Sequence, residues 1–535
     1  MNLIQKNRTF FSKNNPFLWI LVVWVISLSF RINVYDPTIP IFMDSLNFFS
    51  YAIDIHVSAG LPEGYAVTKP GWSVFLAGLF SIFDFAETNS YMQLQRMSSL
   101  IISSLAIFPL YFLCNLFVEK KYSIIGATLF AFAPRLIENS MYGTTEPLYI
   151  LFLTVTILCF LKNSKLIYIS FLLAGISTTI RPESFFLFLA MSFMLIFKLK
   201  SEKFKFPKYI LAITIFLIVS LPFVLHTEHI YPETSIFSRI IDSTAQYFQT
   251  SDEEIRTTVD NRLITTSKLS LVTGIEYFGK YLGWVMIPMF IITAPIGFIL
   301  FLKNRSYTKI SVIVMVIIIS IPAFYAYSFP LPETKYLYFL FPLFSVFSVI
   351  PIKLFVEKFQ KKNLVILVIL SIIILSSILF YYYQFDPNHK VESTLIAKNI
   401  VDNTTMVNTY YPESIFIQGI GLPEKWSELV SYHKNFEPDH NKEYAEKIYK
   451  QLPNKVIRIN PNSFETIESL LHASENQLSH IVIDSKNSRP EFLKHVFTNE
   501  DSYSYLIKEW DSKDDGFAYH VKIFRIDYDL FDLNQ

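Results

Sequence analysis

About eleven apolar stretches, with a basic loop at every second connection, constrain this chain more than any other feature. A helix needs about 20 predominantly apolar residues to cross the hydrocarbon core of a bilayer. The stretches are Pro16–Ile32, Met97–Val118, Tyr122–Ile137, Leu148–Leu161, Leu166–Ile180, Ser184–Leu199, Tyr209–Leu225, Trp284–Leu302, Ile310–Ser328, Tyr336–Leu354 and Leu364–Tyr382. Lys6, Arg8 and Lys13 precede the first. Lys120-Lys121, Lys162 with Lys165, Lys198 through Lys208, Lys303 with Arg305, and Lys353 through Lys362 then mark alternate connections. Basic loops stay in the cytoplasm, so the N-terminus is expected inside and the C-terminus outside. Lys69–Phe83 is apolar but only about 15 residues long, in the range of interfacial segments. Were it to cross, every later basic loop would fall outside. A surface or half-embedded helix on the outer face is therefore expected there.

Composition agrees. The 535 residues are 52% hydrophobic and 17% charged, whereas soluble domains carry about 25% charged residues. An integral protein of the plasma membrane follows, and a net charge of +1 argues against nucleic acid as a partner. The first stretch lacks a small-residue cleavage site and reads as an uncleaved anchor. Cys114 and Cys159 both fall within apolar stretches, so no disulfide framework and no catalytic thiol is expected.

Residues 1–382 form the expected membrane domain, with long outer loops at 33–95 and 226–283. The tail, 384–535, is more polar. It mixes helical patterns (Ser393–Val401, Asn441–Leu452) with β-branched or aromatic runs (Met406–Tyr411, Val456–Ile459, His480–Asp484, His520–Ile526). A small extracytoplasmic α/β domain is predicted. It carries no catalytic motif, and a docking or lid role suits it.

The outward-facing junctions gather acids and bases. Asp44 opens the first outer loop, and a helix from Asp44 to Ser58 places Asp44, Asn47, Tyr51, Asp54 and Ser58 within about an 80° arc. Lys69-Pro70-Gly71-Trp72 comes next, then Arg96. Arg135, Glu138 and Glu146 lie between the third and fourth stretches, and Arg181-Pro182-Glu183 between the fifth and sixth. His226-Thr227-Glu228-His229 follows the seventh, and Glu333-Thr334-Lys335 precedes the tenth. Each has a plain structural alternative. Long basic side chains snorkel at helix ends, acids favour helix N-termini, and an interfacial helix carries a polar stripe in any case.

Collected on one side of a membrane, these groups can hold a phosphate and activate a hydroxyl. A lipid-phosphate leaving group gains negative charge as its glycosidic bond breaks, and Lys or Arg donors stabilise that charge. A carboxylate can take the acceptor's proton. Asp44 is the expected base. Lys69, Arg96, Arg181 and Lys335 are the expected phosphate ligands, and Tyr51, Asp54 and Glu146 the expected acceptor or sugar contacts. No cofactor is needed. His226, Glu228 and His229, or the oxygens of Asp44 and Glu146, are candidate ligands for a divalent metal such as Mg²⁺ or Mn²⁺.

The ordered motifs resemble the GT-C superfamily of polytopic glycosyltransferases. The likeness is to the branch with protein O-mannosyltransferases, the lipid A aminoarabinose transferase and the rhizobial lipopolysaccharide core transferases. It rests on Asp44, Lys69-Pro70-Gly71-Trp72, Arg96-Met97-Ser98-Ser99-Leu100, Pro134 with Glu146, Gly175 through Arg181-Pro182-Glu183, and Lys335-Tyr336 through Pro342. It implies a GT-C-like membrane fold, a polyprenyl-phosphate-linked sugar donor and an outward-facing lipid, glycan or protein acceptor. It also implies inversion at the anomeric carbon and a catalytic acid at Asp44. Ser45 stands where the O-mannosyltransferases carry a second acid, which argues against a protein-mannosylating role. Thr68 stands where the aminoarabinose enzyme has an acid. Lys335 replaces the late Arg, a point charge for a bidentate fork. The rival expectations are a transporter or flippase of a lipid-linked saccharide, a non-catalytic scaffold, and an oligosaccharyltransferase. Against the first, the ionisable groups lie at helix ends rather than at mid-membrane; against the last, the first loop lacks a paired-acid motif.

Overall fold

The computed structural model describes residues 16–42, 44–62, 67, 69–162, 164–200, 204–230, 255–259, 262–266, 271–303, 306–328, 333–403, 409–410, 420, 422–434, 464–473, 478–486 and 489–533. It is a polytopic helical protein with a sheet-containing C-terminal region. Six described segments are long and apolar enough to cross a membrane: Phe17–Val34, Thr88–Cys114, Lys205–Ile230, Tyr307–Tyr327, Thr334–Val356 and Lys362–Asn399.

The other five expected spans are helical but shorter or divided, and proline explains two of the divisions. Tyr122–Ile137 becomes Lys120–Ala131 and Pro134–Ser140, because Pro134 has no N–H to continue the first helix but suits the opening turn of the second. Trp284–Leu302 becomes the end of Leu271–Met286 and the whole of Thr293–Lys303, with Pro288 in the gap. The second span starts at Thr88, well before the expected Met97. Its early polar residues are paired: Gln95 and Arg96 donate to the carbonyls of Gly143 and Met141. The tenth begins as a 3-10 turn, Thr334–Leu340, and becomes α-helical at Phe341–Val356.

Backbone contacts sort the chain into two compact units. One holds Met1–Tyr35, Leu61–Gly78 and Gln95–Phe385; the other holds Asp36–Gly60, Leu79–Leu94 and Asp386–Gln535. One unit boundary falls after Phe385. Two pieces of the first outer loop nevertheless group with the tail.

In the first unit, small residues set how closely helices approach. A Cβ on Gly297 would overlap the backbone carbonyl of Phe347, so Thr293–Lys303 and Phe341–Val356 meet backbone to backbone there. Gly297→Ala is expected to force these helices apart and lower stability by about 1–3 kcal/mol, read as a drop in thermal midpoint in detergent. Arg31, fully buried, donates to Ser27 Oγ and the Ala131 carbonyl. Sequence reading had singled out no role for it.

In the second unit, the tail sheet runs in the order 409–410, 480–484, 521–526, 506–511. The first pair is parallel and the others antiparallel. His480–Asp484 is buried along its whole length, so alternate residues enter two cores. Ile481 and Ile483 pack with Phe524, Leu493 and Leu506, while Val482 packs with Val521, Ile523 and Ile396. The expected strands at 480–484 and 520–526 are present, and the helix expected at 393–401 runs from Pro387 to Asn403. The edge strand Leu506–Asp511 was not foreseen; only its first residue is buried, so it shows no alternation. Helix 441–452, strand 456–459 and most of 406–411 lie outside the described residues. An antiparallel hairpin, Ile255–Val259 with Arg262–Thr266, occupies part of the second long loop.

Candidate functional site

The Lys69-Pro70-Gly71-Trp72 motif is built residue by residue to present Lys69. Pro70 opens the Pro70–Ile82 helix. Gly71 admits the end of a neighbouring helix: a Cβ there would lie 2.5 Å from Thr179 Oγ1 and 2.9 Å from the Thr179 carbonyl carbon. Trp72 is fully buried, and its Nε1–H donates to the Gly143 carbonyl at 2.9 Å. Gln95 Nε2 donates to the same oxygen at 2.7 Å. Gly143 has φ +72°, a left-handed conformation that glycine adopts without penalty. The loop before Glu146 and the turn at Arg181 are thereby held to the helix that follows Lys69. Gly71→Ala is expected to lower stability by about 1–3 kcal/mol by pushing on the Thr179 backbone. A lowered thermal midpoint checks it.

Four expected site residues gather here. Arg181 is buried, and its guanidinium donates to Glu146 Oε1 and, through Nη2, to Glu183 Oε1 at 2.7 Å. Lys335 Nζ lies 2.9 Å from Glu333 Oε2. Burial would raise the Glu146 carboxyl, but the charges of Arg181 and Lys335 and a hydrogen bond from Thr144 outweigh it and hold it below the ordinary range. At Glu183 burial again acts upward, and Arg181 and Lys69 win. Lys69, Arg181 and Lys335 thus act on one group of buried carboxylates. Glu146 Oε2 and Glu183 Oε2 are buried without a hydrogen-bond partner among the described residues.

The depressed carboxyls make stability depend on pH. A group whose folded pKa lies below its unfolded value contributes stability above the unfolded value, and loses it as pH falls through the folded one. Thermal stability is expected to hold from pH 7 to about 5 and to fall below the ordinary glutamate value of about 4.3. Glu183→Gln is expected to flatten that fall; midpoints measured across this range decide.

Arg181, an expected phosphate ligand, is held between the carboxylates of Glu146 and Glu183. Arg96 is buried as well: its Nε donates to the Met141 carbonyl at 2.9 Å, and its guanidinium lies 4.5 Å from the centre of the Tyr35 ring. Lys69 and Lys335 are half buried.

The Asp44–Ser58 helix has the expected bounds. Ten of its 15 residues are buried, including Tyr51 and Asp54 on the polar stripe. Asp44, half buried, stands in its first turn, where the helix dipole favours a carboxylate. Asp54 Oδ1 lies 2.6 Å from His433 Nδ1, a partner 379 residues away that local sequence patterns do not reveal.

His226, Glu228 and His229 occupy the last turn of Lys205–Ile230. His226 and His229, three residues apart, share one face of the helix, and Glu228 falls on another. No three His, Cys, Asp or Glu side chains among the described residues gather as a metal ion requires. The donor set is not assembled, and no step is routed through a metal.

Comparison with known proteins finds a family likeness for part of the chain and a fold likeness for most of it. Residues 69–226, from the Lys-Pro motif past Arg181, match a family model described as dolichyl-phosphate-mannose-protein mannosyltransferase. The chain has the GT-C fold of membrane glycosyltransferases. The fold is similar to that of the archaeal oligosaccharyltransferase AglB from Archaeoglobus fulgidus, solved with an inhibitory peptide and a dolichol-phosphate. That likeness has 11% identity and a TM-score of 0.53, and covers 94% of this chain and 74% of that one. A structure of the A. fulgidus oligosaccharyltransferase with zinc and sulfate is similar at 13% identity and TM-score 0.51, over 87% of this chain and 68% of that one. ArnT from Cupriavidus metallidurans, bound to undecaprenyl phosphate, is similar at 9% identity and TM-score 0.51, over 95% and 97%. No curated protein matches the chain.

Proposed function

We propose that the protein is an inverting membrane glycosyltransferase, moving one sugar from a polyprenyl phosphate to a hydroxyl outside the membrane. The acceptor is a lipid, a glycan or a protein. The observation that carries this is the Lys69, Arg181 and Lys335 charge set around Glu146 and Glu183; Lys69, Glu146, Arg181 and Glu183 fall within residues 69–226, which match the dolichyl-phosphate-mannose family model, and Lys335 lies beyond them. Structural relatives solved with dolichol-phosphate and undecaprenyl phosphate support a donor of that class.

In this mechanism Asp44 takes the proton of the acceptor hydroxyl, whose oxygen attacks the anomeric carbon. The bond from that carbon to the phosphate oxygen breaks, and polyprenyl phosphate leaves with the electron pair. A single displacement inverts the centre. Lys69 and Lys335 stabilise the charge gathering on the phosphate. Arg181 acts through Glu146 and Glu183, keeping both ionised, so that their remaining oxygens can accept hydrogen bonds from sugar hydroxyls. The N-terminus lies in the cytoplasm and the tail outside, as the basic loops dictate.

The test is binding of undecaprenyl phosphate to purified protein in nanodiscs. Lys69→Gln and Lys335→Gln are each expected to weaken it by about tenfold or more, since a hydrogen bond to a charged group contributes about 1.5–3 kcal/mol. Native affinity in both variants would remove the phosphate role. For orientation, Lys513→Cys on the exposed tail surface is expected to react with a membrane-impermeant thiol reagent in intact cells. Labelling only after lysis would reverse the topology.

A further inference from the structure

We infer that His433 is a positioning residue: through Asp54, the C-terminal region holds the helix that carries Asp44. The inference rests on Asp44 being the base. All of its structural grounds lie within one compact unit.

Residues 424–434 are joined to the first-loop elements at three points. The first is backbone: Thr88 N–H donates to the Glu424 carbonyl at 2.9 Å, Trp426 N–H to the Ala86 carbonyl at 3.0 Å, and Glu87 forms a β-bridge with Lys425. The second is aromatic. Trp426 stacks on Tyr91 with ring centres 3.8 Å apart and meets Phe49 and Phe80 edge-on. Phe49 belongs to the helix of Asp44. The third is the pair of His433 and Asp54, whose side chains are 1% and 8% exposed.

The first two contacts fix the place of the Trp426–Lys434 helix. The third fixes the rotation of the helix it packs on. Apolar residues surround Asp54 along its own helix, with Phe48, Phe49, Ile53 and Ile55 all buried. A rotation that carried Asp54 away from His433 would leave a buried carboxylate without this donor, which is costly. The Phe and Ile contacts are non-directional and tolerate small rotations that a 2.6 Å hydrogen bond does not. Asp44 stands ten residues earlier, about 15 Å along the same rod, and turns with it. A base must sit within hydrogen-bond reach of the proton it takes, and a displacement of about 1 Å can cost about 10²-fold in rate.

The experiment uses the full-length protein in nanodiscs with His433→Leu, His433→Asn and His433→Gln. Asn places an amide nitrogen where Nδ1 stands; Gln places it nearer the position of Nε2. Two quantities are read: hydrogen exchange of the 44–58 backbone amides, and kcat and KM for sugar release. His433→Leu is expected to speed exchange in 44–58 at least tenfold and to lower kcat about 10- to 100-fold, with KM for the lipid donor within about twofold of native. His433→Asn is expected to recover most of both, and His433→Gln little of either. If His433→Leu does not fold, the contrast between Asn and Gln carries the test. Native exchange in 44–58 for His433→Leu, or equal behaviour of Asn and Gln, overturns the inference. If the native protein releases no sugar, the base assignment fails while the exchange result still decides whether His433 holds this helix.

Discussion

Asp44→Asn is expected to lower the rate of sugar release by about 10²–10⁴-fold, the contribution typical of a positioned acid or base. Asn keeps the size of the side chain and its capacity to bond nearby backbone, and removes only the basicity. Folding should barely change. The helix loses one charge in its first turn, an effect of at most about 1 kcal/mol, and Asn serves a helix start as well as Asp does. Donor affinity should also stand, because the phosphate interactions are assigned to Lys69 and Lys335. Activity lost at unchanged thermal midpoint and unchanged polyprenyl-phosphate affinity is the expected pattern. Release within threefold of native would move the base elsewhere.

Arg181→Leu is expected to destabilise the protein by about 3–5 kcal/mol, the usual effect of removing one partner from a buried ion pair. The reason is specific to this site: Glu146 and Glu183 are 7% and 14% exposed at their side chains and share this one guanidinium. Arg181→Lys should restore only part of the loss, because a point charge cannot serve two carboxylates as a planar fork does. The pH dependence gives a sharper check. Without Arg181, burial, the largest influence on both carboxyls, acts upward with less opposition. A raised folded pKa reverses the linkage, so acidification then favours the variant's folded state. The gap in thermal midpoint between native and variant is therefore expected to narrow from pH 7 to pH 4.5. A constant gap would mean that the carboxylates do not depend on Arg181.

How much of this was visible in the chain follows from the range of the forces involved. The Asp44–Ser58 helix was legible to the residue, because Asp at its start and the spacing of Phe48, Phe49 and Ile53 are local signals. The order of spans was legible for the same reason, and so was the grouping of Lys69, Glu146, Arg181 and Lys335 near one another. What each of these groups touches was not. Arg181 and Lys69 look alike as cations near a helix end, yet one is buried between carboxylates and the other is half buried. That difference depends on the approach permitted at Gly71 and on Trp72 reaching Gly143, both long-range contacts. The partners of the polar stripe on the Asp44 helix were not legible: Asp54 meets His433, and Tyr51 is buried. The undivided Trp284–Leu302 span failed more locally, at Pro288.

The most direct measurement is sugar release by the purified native protein in lipid. Radiolabelled polyprenyl-phosphate sugars of several kinds are supplied, with Asp44→Asn in parallel and lipid binding measured on both. The account predicts that the native protein releases at least one sugar with inverted configuration, and that Asp44→Asn binds the same lipid without releasing it. Equal binding by both proteins and release by neither, across all the sugars tried, would contradict it and favour a carrier or scaffold of lipid-linked saccharide.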